Sequence, residues 1–313
     1  MKIIELDNSK IKNSEETILA LGNFDGLHLG HIKLISTMID EACKKNLKSA
    51  VLLFKDHSGK VLYPSSKKFV LTTLEEKIEI LKKEKVDIVF VKNFDIDFSK
   101  MLPAEFIDFI ITKTKCKGIV VGRDYKFGYK GEGDIRYLEE HYVDQEFKLI
   151  EINDFCLDKK LIKSTLIRNL LEIGNVELAN RYLGRPYSIK GKIVHGEARG
   201  HLLGFPTANL ENQNYILPKE GVYFTISEVN GNHYLSMTAL GENKTFDEVE
   251  KKIETYIFDF SEDIYGKTQK LYFIEYMREN DRFPSANELI QQLEKDKIYI
   301  SKKDLQLYTD MLL

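Results

Sequence analysis

The rhythm of apolar and polar positions changes part-way along this chain. Up to about residue 160, short apolar runs alternate with stretches in which apolar residues recur every three or four positions. Thr17 to Leu21, Ala50 to Phe54, Val86 to Val91 and Ile119 to Val121 predict strands, and the stretch ending near Lys45, Leu74 to Lys83 and Ala104 to Thr114 predict helices. Strands alternating with helices require right-handed crossovers, so a mainly parallel sheet with an α/β, Rossmann-like architecture is expected. Residues 164 to 182 predict two short helices, with Ser164 as a cap and Gly174 between them, leading into Leu183-Gly184-Arg185-Pro186. After Tyr187 the period falls to two, in Tyr187 to Val194, Val222 to Val229, Tyr234 to Leu240, Ile253 to Phe260 and Lys270 to Tyr276, with Gly or Asn in most of the gaps. That pattern predicts an antiparallel sheet or small barrel, closed by helices over Ser285 to Lys295 and Lys302 to Leu312.

This change of rhythm predicts two domains, 1–184 and 185–313, and 313 residues are enough for two apolar cores. A hydrophobic share of 43% with 30% charged residues suits a globular protein; without a signal peptide or a long uncharged apolar run, a cytoplasmic location and no membrane partner are expected. Cys43, Cys116 and Cys156 show neither CxxC spacing nor a neighbouring His cluster, which predicts reduced, structural thiols. A formal net charge of -3 offers no broad footprint for nucleic acid, so small anionic ligands fit better than long polyanions.

Two places concentrate chemistry. Leu21-Gly22-Asn23-Phe24-Asp25-Gly26-Leu27-His28-Leu29-Gly30-His31 runs from the first predicted strand into a helix whose Ile32, Ile35, Met38, Ile39 and Ala42 share one face. His28 and His31, three apart, are neighbours at that helix's N-terminal end, where unpaired N–H groups and the helix dipole favour phosphate. Two imidazoles there can hold triphosphate oxygens as charge moves to a leaving pyrophosphate, while Gly22, Gly26 and Gly30 admit close approach. Alone, two such histidines are more often ordinary surface residues beside a tight turn; their position after the first strand of a parallel sheet favours the ligand role.

GNFDGLHLGH resembles the GxFDGxHxGH signature of HxGH nucleotidyltransferases, in the form found in bacterial FAD synthetases. Val121 to Gly128 is similar to that family's VGxDFxFG loop, and Ser164-Thr165-Leu166-Ile167-Arg168 to its SSTxIR motif. The resemblance implies an FMN adenylyltransferase domain over 1–184. It implies His28 and His31 on the ATP phosphates, with Gly22, Asn23, Phe24, Asp25, His57 and Asp124 near nucleotide or flavin. Ser164, Thr165 and Arg168 would close over phosphates. By residue type alone, the Ser-Thr pair and Arg168 more often describe an N-cap and a surface arginine than an anion site. Two departures stand out: Leu53-Phe54-Lys55-Asp56-His57-Ser58 keeps the histidine of the family's TFxPHP stretch but neither proline, and Lys163 replaces the first serine of SSTxIR.

In the period-two half, Gly204-Phe205-Pro206-Thr207-Ala208-Asn209 places a hydroxyl and an amide oxygen two residues apart, beside a glycine-bearing loop from His195 to Gly204. Neutral oxygens of this kind suit magnesium when ATP phosphates and water complete its octahedron; as an isolated string the segment reads as a turn. Alternation puts Glu254 on the same face as Tyr256, Phe258 and Phe260. Such a carboxylate is either a base for an attacking alcohol in a cleft or a water-accessible edge residue, and the pattern does not choose.

VHGEARGHLLGFPTANL, Gly221-Val222-Tyr223, Glu254 to Phe260, Asp263 to Gly266 and Met277-Arg278-Glu279 resemble, in order, the landmarks of riboflavin kinase. That resemblance implies a six-stranded Greek-key barrel with terminal helices, Thr207 and Asn209 as Mg2+ and phosphate ligands, Glu254 as the base for the ribityl hydroxyl, and Gly204 and Arg278 among the ligand contacts. His201 stands where a second arginine is usual, and Ala239-Leu240-Gly241-Glu242-Asn243-Lys244-Thr245-Phe246 replaces NIGxRPTF, so Ala239 takes the place of its asparagine. The whole resemblance is to the bacterial bifunctional riboflavin kinase/FMN adenylyltransferases, with riboflavin, FMN and ATP as substrates, FAD as product and a monomer or weak homo-oligomer as its state. The alternatives are a monofunctional FMN adenylyltransferase with a degenerate kinase domain, a flavin-sensing regulator, and a nucleotidyltransferase for another phosphate ester.

Overall fold

The computed structural model describes residues 1–8, 13–55, 70–143, 147–196, 200, 203–211, 214–245 and 248–312, with the backbone alone for 242–245 and 248–251. His57 and His201 lie outside the described residues, as does the side chain of Asn243. The chain divides into two compact units, Met1–Ser164 and Thr165–Leu313.

In the first unit, β1 (Lys2–Glu5), β2 (Thr17–Ala20), β3 (Lys48–Phe54), β4 (Ile88–Lys92), β5 (Cys116–Gly122) and β6 (Lys148–Ile152) form a parallel sheet in the order β1-β4-β3-β2-β5-β6. Every residue of β2 and β4 is buried, as expected for central parallel strands covered on both faces. The covering helices are α1 (Leu29–Lys44), α2 (Leu74–Lys83), α3 (Ile96–Ser99), α4 (Pro103–Thr114) and α5 (Ile135–His141). Local chemistry sets their ends: Thr73 and Glu76 form a capping box on α2, and Pro103 opens α4, where its missing N–H costs nothing. A small hairpin, β7 (Cys156–Leu157) and β8 (Lys160–Leu161), completes the unit. From β2 the sheet grows one way through β3, β4 and β1 and the other way through β5 and β6, so the order reverses between β2 and β5.

In the second unit, α6 (Ser164–Glu172, its first residue counted with the first unit) and α7 (Val176–Leu183) precede the strands β9 (Tyr187–Val194), β10 (Thr207–Leu210), β11 (Gly221–Val229), β12 (Asn232–Thr245), β13 (Glu248–Ile257) and β14 (Thr268–Arg278). These close into an antiparallel barrel in the order β10-β13-β12-β11-β14-β9. The side chain of Asn180 ties α7 to the barrel, donating to the Phe273 carbonyl at 2.8 Å and accepting from the Tyr187 N–H at 2.7 Å. Val222, Phe224, Ile226, Met237 and Tyr272 face outward against Ile300 of α8 (Ala286–Ser301), with Leu305 of α9 (Leu305–Thr309) packed beside them. The alternate residues face inward, and part of that interior is polar. Thr225 bonds to Ser236 and Thr238 at 2.8 Å, Thr238 to Thr255 at 3.0 Å, and Gln269 to Ser227 at 2.8 Å, all fully buried.

Five strands escape the period-based reading, among them the two-residue β7 and β8. β1 and β6 sit at the outer positions of the sheet order, where charged residues interrupt the apolar run. β10 reads locally as a turn and becomes a strand through its pairing with β13 and β9. Among the described residues, no helix is long and apolar enough to cross a membrane.

Candidate functional site

The first site grows out of the C-terminal end of β2. Leu21 N–H donates to the Val120 carbonyl at 3.1 Å, so the chain leaves the sheet alongside β5, at the point where the strand order reverses. Open α/β sheets bind ligands in the crevice at such a point. The backbone then turns through Phe24, Gly26 and Leu27 at φ values of 48°, 81° and 39°. Two non-glycine residues in the left-handed region are strained, and the structure holds them by burying both side chains completely. A Cβ on Gly22 would lie 3.2 Å from the Phe24 ring, so the ring occupies the space beside that glycine.

The turn delivers His28 to the N-cap of α1, where its Nδ1 accepts the His31 N–H at 3.3 Å. A neutral imidazole accepting through Nδ1 carries its proton on Nε2. The two rings stack with centroids 3.7 Å apart and planes 16° from parallel, and Phe24 meets His31 edge-on at 5.3 Å. A Cβ on Gly30 would lie 3.2 Å from the His28 ring, which explains the glycine between the histidines.

Bonds from distant segments fasten this turn. The Asp25 carboxylate accepts the Leu71 N–H at 3.0 Å, the Asp25 carbonyl accepts the Ser164 hydroxyl at 2.8 Å, and the Asn23 carbonyl accepts the Lys77 ammonium at 3.0 Å. Asp25 and Ser164, expected as ligand contacts, are thus brought together through the backbone of the turn; Asp25 itself is buried and Asn23 exposed. Asp124, just beyond β5, is exposed at the same end of the sheet and pairs with Lys163 at 2.6 Å. That bond holds the Lys163 ammonium above its usual pKa. The residue that departs from the SSTxIR motif therefore partners the aspartate of the VGRDYKFG loop. Thr165, exposed, and Arg168, half-buried, belong to α6 in the second unit. Leu71 and Lys77 were not singled out by the sequence, because nothing local links them to a turn about fifty positions earlier.

The second site is made by strand register. On β10 and β13, Asn209 stands directly opposite Glu254 and Thr207 opposite Tyr256, and Ala239 of β12 lies opposite Glu254 on its other side. Directly opposed side chains lie about 5 Å apart at Cβ. Glu254 is half-buried on the outward face with Tyr256 and Phe258, whereas Ile253, Thr255 and Ile257 point inward. A Cβ on Gly196 would lie 2.1 Å from the Asn209 amide nitrogen, and one on Gly200 3.3 Å from the Thr207 hydroxyl. The glycines of the preceding loop thus lie directly against both oxygen-bearing side chains. Gly204, at φ 81°, occupies backbone that glycine favours, next to the buried Phe205 ring, which meets Tyr256 edge-on at 5.2 Å.

Arg278 occupies the same cross-strand row as Glu254, but three strands away in a closed six-stranded barrel, on its opposite wall. Its guanidinium donates to Asp296 of α8 at 2.8 and 2.9 Å. The barrel therefore brings together Thr207, Asn209 and Glu254, and directs Arg278 to α8.

A family model described as FAD synthetase matches residues 10–166, and one described as riboflavin kinase matches residues 183–303. The bifunctional riboflavin kinase/FMN adenylyltransferase of Listeria monocytogenes is 40% identical over 283 residues, covering 90% of each chain. The chain belongs to this bifunctional family. Other members are the Bacillus subtilis protein, 36% identical over 95% of this chain and 96% of its own, and the Escherichia coli protein, 32% identical over the same shares. A crystal structure from Streptococcus pneumoniae, described as a macrolide-efflux protein, shares the fold with a TM-score of 0.89 and 31% identity over 97% of this chain and 100% of that one. Within the family's two matched segments, the first contains His28, His31, Asp124 and Ser164, and the second contains Thr207, Asn209 and Glu254.

Proposed function

We infer that the chain carries riboflavin through FMN to FAD in two ATP-dependent steps, phosphorylation in the barrel and adenylyl transfer in the parallel-sheet unit. The observation that supports this reading is that each matched segment contains its own assembled group of side chains: the stacked His28 and His31 at a helix mouth, and the Asn209–Glu254 pair beside Thr207. A degenerate kinase domain has no reason to keep the second group in register, and a flavin-sensing regulator needs neither.

In adenylyl transfer, a phosphate oxygen of FMN attacks the α-phosphorus of ATP, and the bond to the leaving pyrophosphate breaks. FMN brings its own anionic nucleophile, so the protein's work is positioning and charge stabilisation. His28, through its Nε2 proton, and His31 donate to the departing phosphate oxygens, reinforced by the positive end of α1. Gly22 and Asn23 present backbone to the nucleotide. Phe24 sets the angle of His31, Asp25 and Ser164 hold the turn, and Asp124 stands at the same end of the sheet; His57, Thr165 and Arg168 are the ligand contacts that the family resemblance implies. We assign residues 1–184 to this step by function, with α6 and α7 counted with it although their packing lies with the barrel.

In the kinase step, assigned to 185–313, Glu254 accepts the proton of the ribityl hydroxyl as its oxygen attacks the γ-phosphorus and ADP leaves. The Thr207 hydroxyl, the Asn209 amide and the Glu254 carboxylate lie on one outward patch, with Gly196 and Gly200 against the first two, and an oxygen-bearing patch of this kind suits a small cation completed by phosphate and water. Thr207 and Asn209 would hold magnesium, which when bound neutralises phosphate charge. Gly204 lets the loop turn over the nucleotide, and Arg278 acts at a distance by fixing α8 through Asp296. The substrates are small molecules, and we expect a cytoplasmic monomer or weak homo-oligomer that engages neither nucleic acid nor membrane.

The test supplies riboflavin or FMN with ATP, with and without magnesium, and resolves the products by chromatography. FMN and then FAD from riboflavin is the expected result. FAD from FMN alone would leave a monofunctional adenylyltransferase, and no product from either overturns the reading.

A further inference from the structure

Lys77 is a buried cation that neither step uses. It lies on the inward face of α2 with Ile80 and Leu81, is 9% exposed, and donates from Nζ to the Asn23 carbonyl at 3.0 Å. Burying an ammonium is costly, and an apolar side chain at this position would fill the same space without that cost. Here burial pulls the Lys77 pKa down, and the neighbouring Asp25 carboxylate opposes the shift. That carboxylate is itself buried and accepts the Leu71 N–H at 3.0 Å, six residues upstream on the same segment. Leu71 to Lys77 therefore grips the GNFDG turn at two points, one on each side of the strained Phe24, and the turn leads directly to His28.

We propose that Lys77 is a positioning residue for adenylyl transfer: its ammonium fixes the Asn23 carbonyl and balances the buried Asp25, so that the turn presents the stacked imidazoles in one orientation. This rests on the assignment of His28 and His31 to the ATP phosphates. The charge, and not only the volume, of the side chain is then needed for turnover.

Lys77→Met, which keeps the length without the charge, is expected to lower kcat for FAD formation from FMN by about ten- to a hundredfold, the effect of a small misplacement of catalytic groups. The KM values for ATP and FMN should stay within about threefold, since the substrates still bind while the transition state loses its aligned donors. Riboflavin phosphorylation in the same molecule, an internal control for folding and concentration, should be unchanged, and Lys77→Arg should recover part of the lost kcat. Wild-type kcat in Lys77→Met, with or without a lower Tm, would mean the lysine only packs, and overturns the proposal. Should Lys77→Met lose both activities by misfolding, Lys77→Gln and Lys77→Arg are compared at equal kinase activity. Faster FAD formation by the arginine variant supports the proposal and equal rates overturn it. If wild-type protein makes no FAD from FMN, the underlying functional reading fails instead.

Discussion

The two units place their reactive side chains by different devices. In the parallel sheet the histidines hang on a turn beyond a strand end, their rings held by a helix cap and a buried phenylalanine, and the turn is bolted to segments far away in the chain. In the barrel, no turn has to carry Glu254 to its partner: the antiparallel register sets it opposite Asn209, and the next strand continues the row at Ala239. A turn can shift continuously if one of its bolts is loosened. A register is all or nothing, since a slip of one residue would turn Glu254 inward, toward the buried hydroxyls of Thr225 and Thr238. The first site should accordingly degrade by degrees when its supports are altered, while the second should respond to its own few residues and little else.

The largest expected effect is at the second site. Glu254→Gln keeps the shape and removes the base, so riboflavin phosphorylation should fall about 10²- to 10⁴-fold, the usual worth of general-base catalysis, with FMN adenylylation untouched. Separate steady-state assays of the two steps measure this, and a kinase rate within threefold of wild type would remove Glu254 from the chemistry. His31→Ala should produce the reverse pattern at the first site, a loss of about 10²- to 10³-fold in FAD formation with the kinase unchanged, as expected for one donor to developing phosphate charge. Equal losses in both assays would show that the sites are not separable in this way.

Gly196→Ala tests the glycine cradle. Its new Cβ would fall 2.1 Å from the Asn209 amide nitrogen and must push that side chain aside. We expect a loss of kinase activity of about tenfold or more, accompanied by a raised magnesium requirement and a wild-type adenylylation rate. An unchanged magnesium titration would take Asn209 out of the proposed metal site. The smallest effect is expected for Lys163→Ser. Both members of the Lys163–Asp124 pair are solvent-exposed, so the variant should lose no more than about 1 kcal/mol in urea unfolding. A larger loss would show that the pair bolts its loop as firmly as Ser164 bolts the GNFDG turn.

Much of this organisation is legible in the chain itself, and the gaps follow a physical pattern. Periodicity separates the α/β half from the antiparallel half because buried parallel strands give continuous apolar runs while the barrel strands alternate. β1 and β6 are missed because strands at the outer positions of a sheet carry charges that break such runs. His28 and His31 can be read as a pair because three residues of helix bring them together without help from elsewhere. The clamps on the same turn cannot, since Leu71 lies 46 positions and Ser164 139 positions from Asp25. For Glu254 the alternation predicts the face it shares with Tyr256 and Phe258 and leaves its role open; the pairing with Asn209 is what the barrel register adds.

What the amino-acid order determined alone is local: the strongly periodic helices and strands, where the rhythm changes, and that two imidazoles share a helix mouth. Those properties depend on interactions across a few residues, which every segment carries with it. Only the tertiary structure decided that Thr207–Leu210 is a strand rather than a turn, that Asn209 faces Glu254, that Arg278 goes to Asp296, and that a buried lysine holds the turn before His28. Each of these is a meeting of distant segments, settled when the sheet order, the barrel register and the burial of whole faces are satisfied together.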